Sequence, residues 1–271
     1  MVWVIERNHI MIQFLIFLIC FSACTVGAIC GIGGGIIIKP ALDTFGIMDA
    51  STINFLSGCT VLAMTTYNFG KNKLAGTSKI DQATGIPLAL GAAIGGVIGK
   101  NLFQIIRSMS ADSARVVIIQ SACLLVVTLG TLLYTIYKSK IHTHKIENKL
   151  FCAAIGLTLG LISSFLGIGG GPINLVVLFF FFSMNTKTAA ENSLYIILFS
   201  QTASLLSSIL TRTVPDFDIL MLCLMVAGGI SGGILGRKIN KKLNEAAVDK
   251  LFIALMIFMI AINGYNICRY M

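Results

Sequence analysis

Gly31-Ile32-Gly33-Gly34-Gly35 recurs letter for letter as Gly167-Ile168-Gly169-Gly170-Gly171, and each copy interrupts a long apolar stretch. The offset is 136 residues, and at that offset Met48 meets Met184, Thr52 meets Thr188, Ser57 meets Ser193 and Thr66 meets Thr202. One residue of slippage later, Gly91, Gly95, Gly99 and Lys100 match Gly228, Gly232, Gly236 and Arg237, while Asp81 matches Asp218 and Asp112 matches Asp249. Matches in this order mark a duplicated chain with its seam in the 138–149 loop. Residues 1–140 read as a first repeat and 141–271 as a second, together one domain. Each unit holds a glycine-broken stretch (10–47 and 149–184) and then three unbroken spans, at 50–70, 81–106 and 113–137 and again at 187–211, 216–239 and 247–268.

Composition says what surrounds these spans. Charged residues are 11% of the chain and hydrophobic ones 56%, with a mean hydropathy of +0.90. A soluble domain carries about a quarter charged residues, so there is too little charge here to coat a water-soluble globule. Apolar runs of about 20 residues suit a bilayer core of roughly 30 Å. They are continuous, not alternating in period two, which excludes a β-barrel. The net charge of +9 sits in the short segments between runs, as topology-setting loop charges do, and no basic face for nucleic acid is present. Eight cysteines form no C-x-x-C pair, and His142 and His144 lie in a lysine-rich loop, so no metal or cofactor is expected. The first apolar run is too long for a signal peptide, and it has a partner in the second half.

The two glycine breaks are the candidate site. Consecutive glycines cost a helix about 1 kcal/mol each relative to alanine, and unwound backbone at membrane depth is tolerated only where protein buries it or it lines a cavity. Gly-interrupted segments at matching places in two halves point to a transport site. A helix restarting after such a break presents free N–H groups and a positive dipole end to an anion. Pro172 after Gly171 suits the first helical position. The stripes Gly91/Gly95/Gly99 and Gly228/Gly232/Gly236, by contrast, read as close helix packing.

The path of the broken segment follows from length and charge. Met11 to Phe45 would run roughly 52 Å as straight helix at 1.5 Å per residue, which overshoots the hydrocarbon. If each segment crosses once, there are eight passes and the Lys/Arg divide ten and ten; if each folds back as a re-entrant hairpin, the reading favoured, thirteen of the twenty, including Lys71, Lys79, Lys138, Lys187 and Arg237, share one face. That face is expected in the cytoplasm, with both termini outside. The expected fold is an all-α polytopic membrane protein of two homologous, inverted repeats, each a Gly-broken, re-entrant helix plus three transmembrane helices.

The substrate-binding candidates are Gly33, Gly34, Gly35, Gly169, Gly170 and Gly171 at the breaks, with Asn174, Ser57, Ser193, Asn192, Gln201 and Thr66 as neutral donors. A buried amide in lipid needs a partner, which a neighbouring helix or the substrate supplies. Lys39 lies one turn past Gly35, where it either neutralises an anion or snorkels to the interface, the latter favoured. Glu191 reads as the end of a capping box begun by Thr188 in preference to a proton-coupling carboxylate. No carboxylate pair, His ligand set or activated nucleophile falls within the spans, so an enzyme is not expected. Gly31-x-Gly33 lacks the strand and acidic partner of a dinucleotide site.

The motifs G-I-G-G-G-I-I-I-K-P and G-I-G-G-G-P-I-N, with the later glycine stripes and the length, resemble the sulfite/sulfonate exporter family of TauE/SafE type. Lys39 beside Pro40 stands where that family usually carries an apolar residue. The resemblance implies a multi-pass permease of the cell (inner) membrane that moves sulfur-containing or organic anions (sulfite, sulfonate, sulfoacetate) by alternating access. Its expected partners are a small anionic substrate, the lipid bilayer, and a proton or sodium ion as candidate coupling ion. An anion channel is the rival reading, which saturable flux separates from a carrier.

Overall fold

The computed structural model describes residues 2–76, 80, 82–109, 113–168 and 170–271. Gly169, Lys79, Asp81 and Asp112 lie outside them. The described residues form ten α-helices and one short 3₁₀ turn, without strands. They are α1 (Val2–Cys30), α2 (Gly35–Phe45), α3 (Ala50–Leu74), α4 (Gln82–Met109) and α5 (Ser113–Tyr137), then α6 (Lys149–Leu166), α7 (Pro172–Phe182), α8 (Thr186–Leu210), α9 (Ile219–Lys242) and α10 (Glu245–Tyr270). Among the described residues, seven helices are long and apolar enough to cross a bilayer: α1 from Met11, α4, α5, α6, α8, α9 and α10. Large apolar side chains such as Leu90, Ile94, Val126, Leu133 and Phe258 stand exposed on the outside, the surface lipid covers in such a bundle.

Both broken segments fold back. The first glycine of each motif ends its helix in the left-handed region, Gly31 at φ 78° and Gly167 at φ 68°. The next N–H then reaches back to the last turn, from Ile32 to Gly27 at 3.0 Å and from Ile168 to Ser163 at 3.3 Å. A Cβ built on Gly34 would lie 3.1 Å from the Cα of Cys24, so ten residues of chain return almost to their start. Ile47, Met48 and Asp49 accordingly line one cleft with Ile12 and Gln13. In the second unit the N–H groups of His144 and Ile146, before α6, donate to the carbonyls of Phe180 and Phe181 at the end of α7, at 2.7 and 3.0 Å.

Side-chain ties identify the two ends of the bundle. At one, Lys138 pairs with Asp249 at 2.6 Å, Thr186 donates to the same carboxylate, and Arg237 donates to Asn72. Most lysines gather at this basic end. At the other, Arg107 pairs with Asp49 at 3.2 Å, Thr52 donates to Asp216, Tyr270 donates to the Asp43 carbonyl, and Arg269 reaches Thr44.

The glycine-lined contacts run between the units. A Cβ on Gly91, Gly95 or Gly99 would stand 2.0 to 2.2 Å from the carbonyls of Ala153, Leu157 and Leu161 on α6. Gly228, Gly232 and Gly236 take the carbonyls of Phe17, Phe21 and Thr25 on α1 in the same way. So α4 lies on α6 and α9 on α1, while α8 packs on α4 as α3 packs on α9, and α7 on α5 as α2 on α10. Without a hydrophobic drive inside lipid, such close backbone approach is what joins helices.

Candidate functional site

The two breaks meet. Gly35 lies against the carbonyl of Ile168, Gly31 against Ala190 of α8, and Gly167 against the side chain of Asn54 of α3. The last two contacts are equivalent at the 136-residue offset, since Gly31 matches Gly167 and Asn54 matches Ala190. Each break is therefore seated on a helix of the other unit.

Around this junction lie polar groups with nothing to bond. Both side-chain atoms of Asn54 and Asn174, and the hydroxyls of Ser57, Ser164 and Ser193, are buried and unpartnered among the described residues. Asn174 bends toward Gly170, whose Cβ would come within 3.5 Å of its Nδ2. Unmet polar atoms in an interior are costly, and so many at one place make this junction the candidate site.

The other candidates are placed differently. Asn192 is buried, but its amide donates to the Thr188 carbonyl and its oxygen faces Gly85 of α4. Thr66 is exposed and donates to Leu62, so it stays away from the junction; Thr65, beside it, is the buried one. Ser57 and Ser193 sit two turns inside α3 and α8 and cap nothing. Lys39 neither snorkels nor stands free: its ammonium lies 2.7 Å from Asp43, both side chains 3% exposed. The spacing of four on one helix face brings the pair together. Nor is Glu191 in a capping box. Helix α8 starts two residues before Thr188 and is capped by Asn185, which accepts from the Thr188 N–H. Glu191 then falls one turn deeper, on a cavity wall.

That cavity opens at the basic end. It measures about 230 Å³ and is lined by Ala28, Asn68, Asn72, Lys187, Ala190, Glu191, Leu194, Arg237, Asn240 and Lys241. A second chamber, of about 10 Å³, is lined by Asn54, Phe55, Lys100, Phe103, Ser164, Gly167, Gln201, Ser204 and Leu205. It has room for about one water at most. Lys100 lies roughly two turns from Arg107, which places this chamber toward the opposite end.

The two linings are one chamber built twice. Ala28, Asn68, Ala190 and Glu191 match Ser164, Ser204, Asn54 and Phe55 at the 136-residue offset, and Arg237 and Asn240 match Lys100 and Phe103 one residue later. Asn54, Lys100 and Arg237 were not singled out by sequence reasoning. The available signal was a cation in the same place after both glycine stripes, inside otherwise apolar spans. The ends of the long hairpin helices are also secured alike: Asn240 donates to the Ile29 carbonyl at 2.5 Å, and Gln120 to the matching Phe165 carbonyl at 2.7 Å.

No curated protein and no solved structure matches this chain. The family model described as Sulfite exporter TauE/SafE matches residues 16–262, which take in both glycine breaks and both chambers. The chain belongs to the TauE/SafE sulfite exporter family and is a multi-pass membrane transporter of that family.

Proposed function

We propose that this transporter carries a small anion, sulfur-containing or organic, with sulfite, sulfonates and sulfoacetate as its candidate class, by alternating access. The carrying observation is the duplicated chamber. The copy at the basic end is open, and Lys187, Arg237 and Lys241 face a single carboxylate, Glu191, across it. A cavity with an excess of cations concentrates anions. The copy toward the other end is shut. One open and one closed version of the same polar chamber, on either side of two meeting helix breaks, is the arrangement an inverted-repeat carrier adopts when open to one face. Residues 1–140 and 141–271 act in this reading as the two repeats. The basic end faces the cytoplasm of the cell membrane, by the excess of Lys and Arg in its short loops.

Gly33, Gly34, Gly35, Gly170 and Gly171 let the breaks approach, and Asn174, Ser57, Ser193 and Gln201 supply neutral donors. Such donors bind an anion without trapping it. The proposal is tested on detergent-purified protein by thermal shift against sulfite, sulfate, methanesulfonate, short carboxylates and organic cations, followed by flux in proteoliposomes. The expected result is stabilisation by sulfite or sulfonates and saturable flux. Stabilisation by cations alone, or flux that rises without saturating, overturns the carrier reading.

A further inference from the structure

We propose that Lys100 is the anion-docking residue of the closed chamber, so that the substrate is passed between two cations, Arg237 and Lys100, occupying the same place in the two units. This rests on the anion-carrier reading above.

A buried ammonium in a lipid-embedded bundle needs a counter-charge. Lys39 has one in Asp43. Lys100 is only 6% exposed and has none: among the described residues no carboxylate pairs with it, and its one charge-seeking contact is the ring face of Phe103 at 5.4 Å. The walls of its chamber carry no acidic side chain. What they do carry is the amide of Asn54 and the hydroxyl of Ser164, both buried and unpartnered among the described residues, with Gln201 beside them. One unpaired cation among neutral donors is a complete set for a compact oxyanion, a sulfite, a sulfonate head or a carboxylate.

Snorkelling does not account for this lysine, because its side chain ends inside the bundle. Nor does a purely structural role, because beyond the Phe103 ring no group in the chamber wall answers its charge and none supplies a counter-charge. The matching chamber explains the arrangement. Around Arg237 the matching walls enclose about 230 Å³, and Glu191 occupies the place that Phe55 holds near Lys100. The open chamber thus holds a carboxylate of its own when no substrate is present, whereas the Lys100 chamber depends on the substrate for its only negative charge.

The experiment measures sulfite and methanesulfonate transport in right-side-out and inside-out vesicles carrying wild type, Lys100→Met, Lys100→Gln and Arg237→Met. Melting temperatures of the purified, ligand-free variants are taken alongside. Both Lys100 variants are expected to melt at or above wild type, because an unpaired buried charge has been removed. Their KM should rise at least tenfold for anion presented at the end bearing Arg107 and Arg269, with less than a threefold change at the basic end. Arg237→Met should show the reverse sidedness. If both Lys100 variants melt well below wild type, the lysine is structural and the proposal falls. It falls equally if they transport from both faces with KM within threefold of wild type. Failure of wild type itself to move or bind either anion removes the carrier reading, which is a separate outcome.

Discussion

Gly35 lies against the carbonyl oxygen of Ile168, so closely that a Cβ on Gly35 would stand 2.2 Å from that atom. The two glycine breaks, 136 residues apart in the chain, therefore touch through bare backbone. Gly35→Ala must push one hairpin off the other, and overpacking of this kind costs about 1–3 kcal/mol or more. The substituted protein should melt lower and lose transport. Gly130→Ala is the control: nothing lies within 4 Å of its Cβ position, and in mid-helix alanine is favoured over glycine by about 1 kcal/mol. Equal melting of Gly35→Ala and wild type would mean that the breaks do not meet.

Lys39 and Asp43 form a buried ion pair, and removing one member leaves the other charge uncompensated, at a cost of about 3–5 kcal/mol. Lys39→Ala should unfold readily, and the double variant Lys39→Met with Asp43→Leu should recover much of the loss. Urea or thermal melts of the single and double variants decide this. A stable Lys39→Ala that no longer binds sulfite would instead place Lys39 in the substrate site.

Asn174 and Asn240 separate binding from structure. Both polar atoms of Asn174 are unpartnered among the described residues, whereas Asn240 holds the orphan carbonyl at the end of α1. Asn240→Ala should cost about 1–3 kcal/mol and leave anion-induced stabilisation in place. Asn174→Ala should change ligand-free stability by less than about 1 kcal/mol, since no hydrogen bond is lost, yet reduce the sulfite-induced thermal shift. A full shift in Asn174→Ala removes it from the site.

Fold-back of the first segment predicts that positions 13 and 47 are reached from the same side of the membrane. In a background with the eight cysteines replaced, Gln13→Cys, Ile47→Cys and Val214→Cys should react with an impermeant maleimide from one face. Lys145→Cys and Lys250→Cys should react only from the other. Opposite labelling of positions 13 and 47 would mean a single crossing.

Much of this architecture was legible in the residues, because it rests on local pattern. Apolar runs fix where helices form, the Gly-Ile-Gly-Gly-Gly motif marks where they break, and its second copy fixes that this happens twice. The length of the 10–47 stretch together with the charge placement pointed to the hairpin that the Gly34–Cys24 approach displays. The glycine stripes announced close packing from their spacing alone. Their partners were not announced, because α4 meets α6 and α9 meets α1 across the chain, and which helix faces a stripe is set by the assembly of both units.

Charge roles were the least legible for the same reason. Lys39, Lys100 and Arg237 are all cations within or beside apolar spans, and the sequence gives each the same choice of snorkelling, pairing or binding. Burial and neighbours decide, and those come from helices distant in sequence. Lys39 turns inward onto Asp43, Arg237 lines an open cavity, and Lys100 is enclosed by the Phe103 ring and neutral polar groups with no acidic side chain among them. Glu191 illustrates the point at short range: its capping-box spacing was present, but helix α8 begins at Thr186 under an Asn185 cap and carries Glu191 onto the cavity wall. The sequence by itself determined the class, the duplication and the breaks, since each depends on residues near one another in the chain. Only the tertiary structure decided which buried polar groups are satisfied and which have no partner among the described residues, since a hydrogen bond or ion pair between helices exists only where the two are brought within about 3 Å.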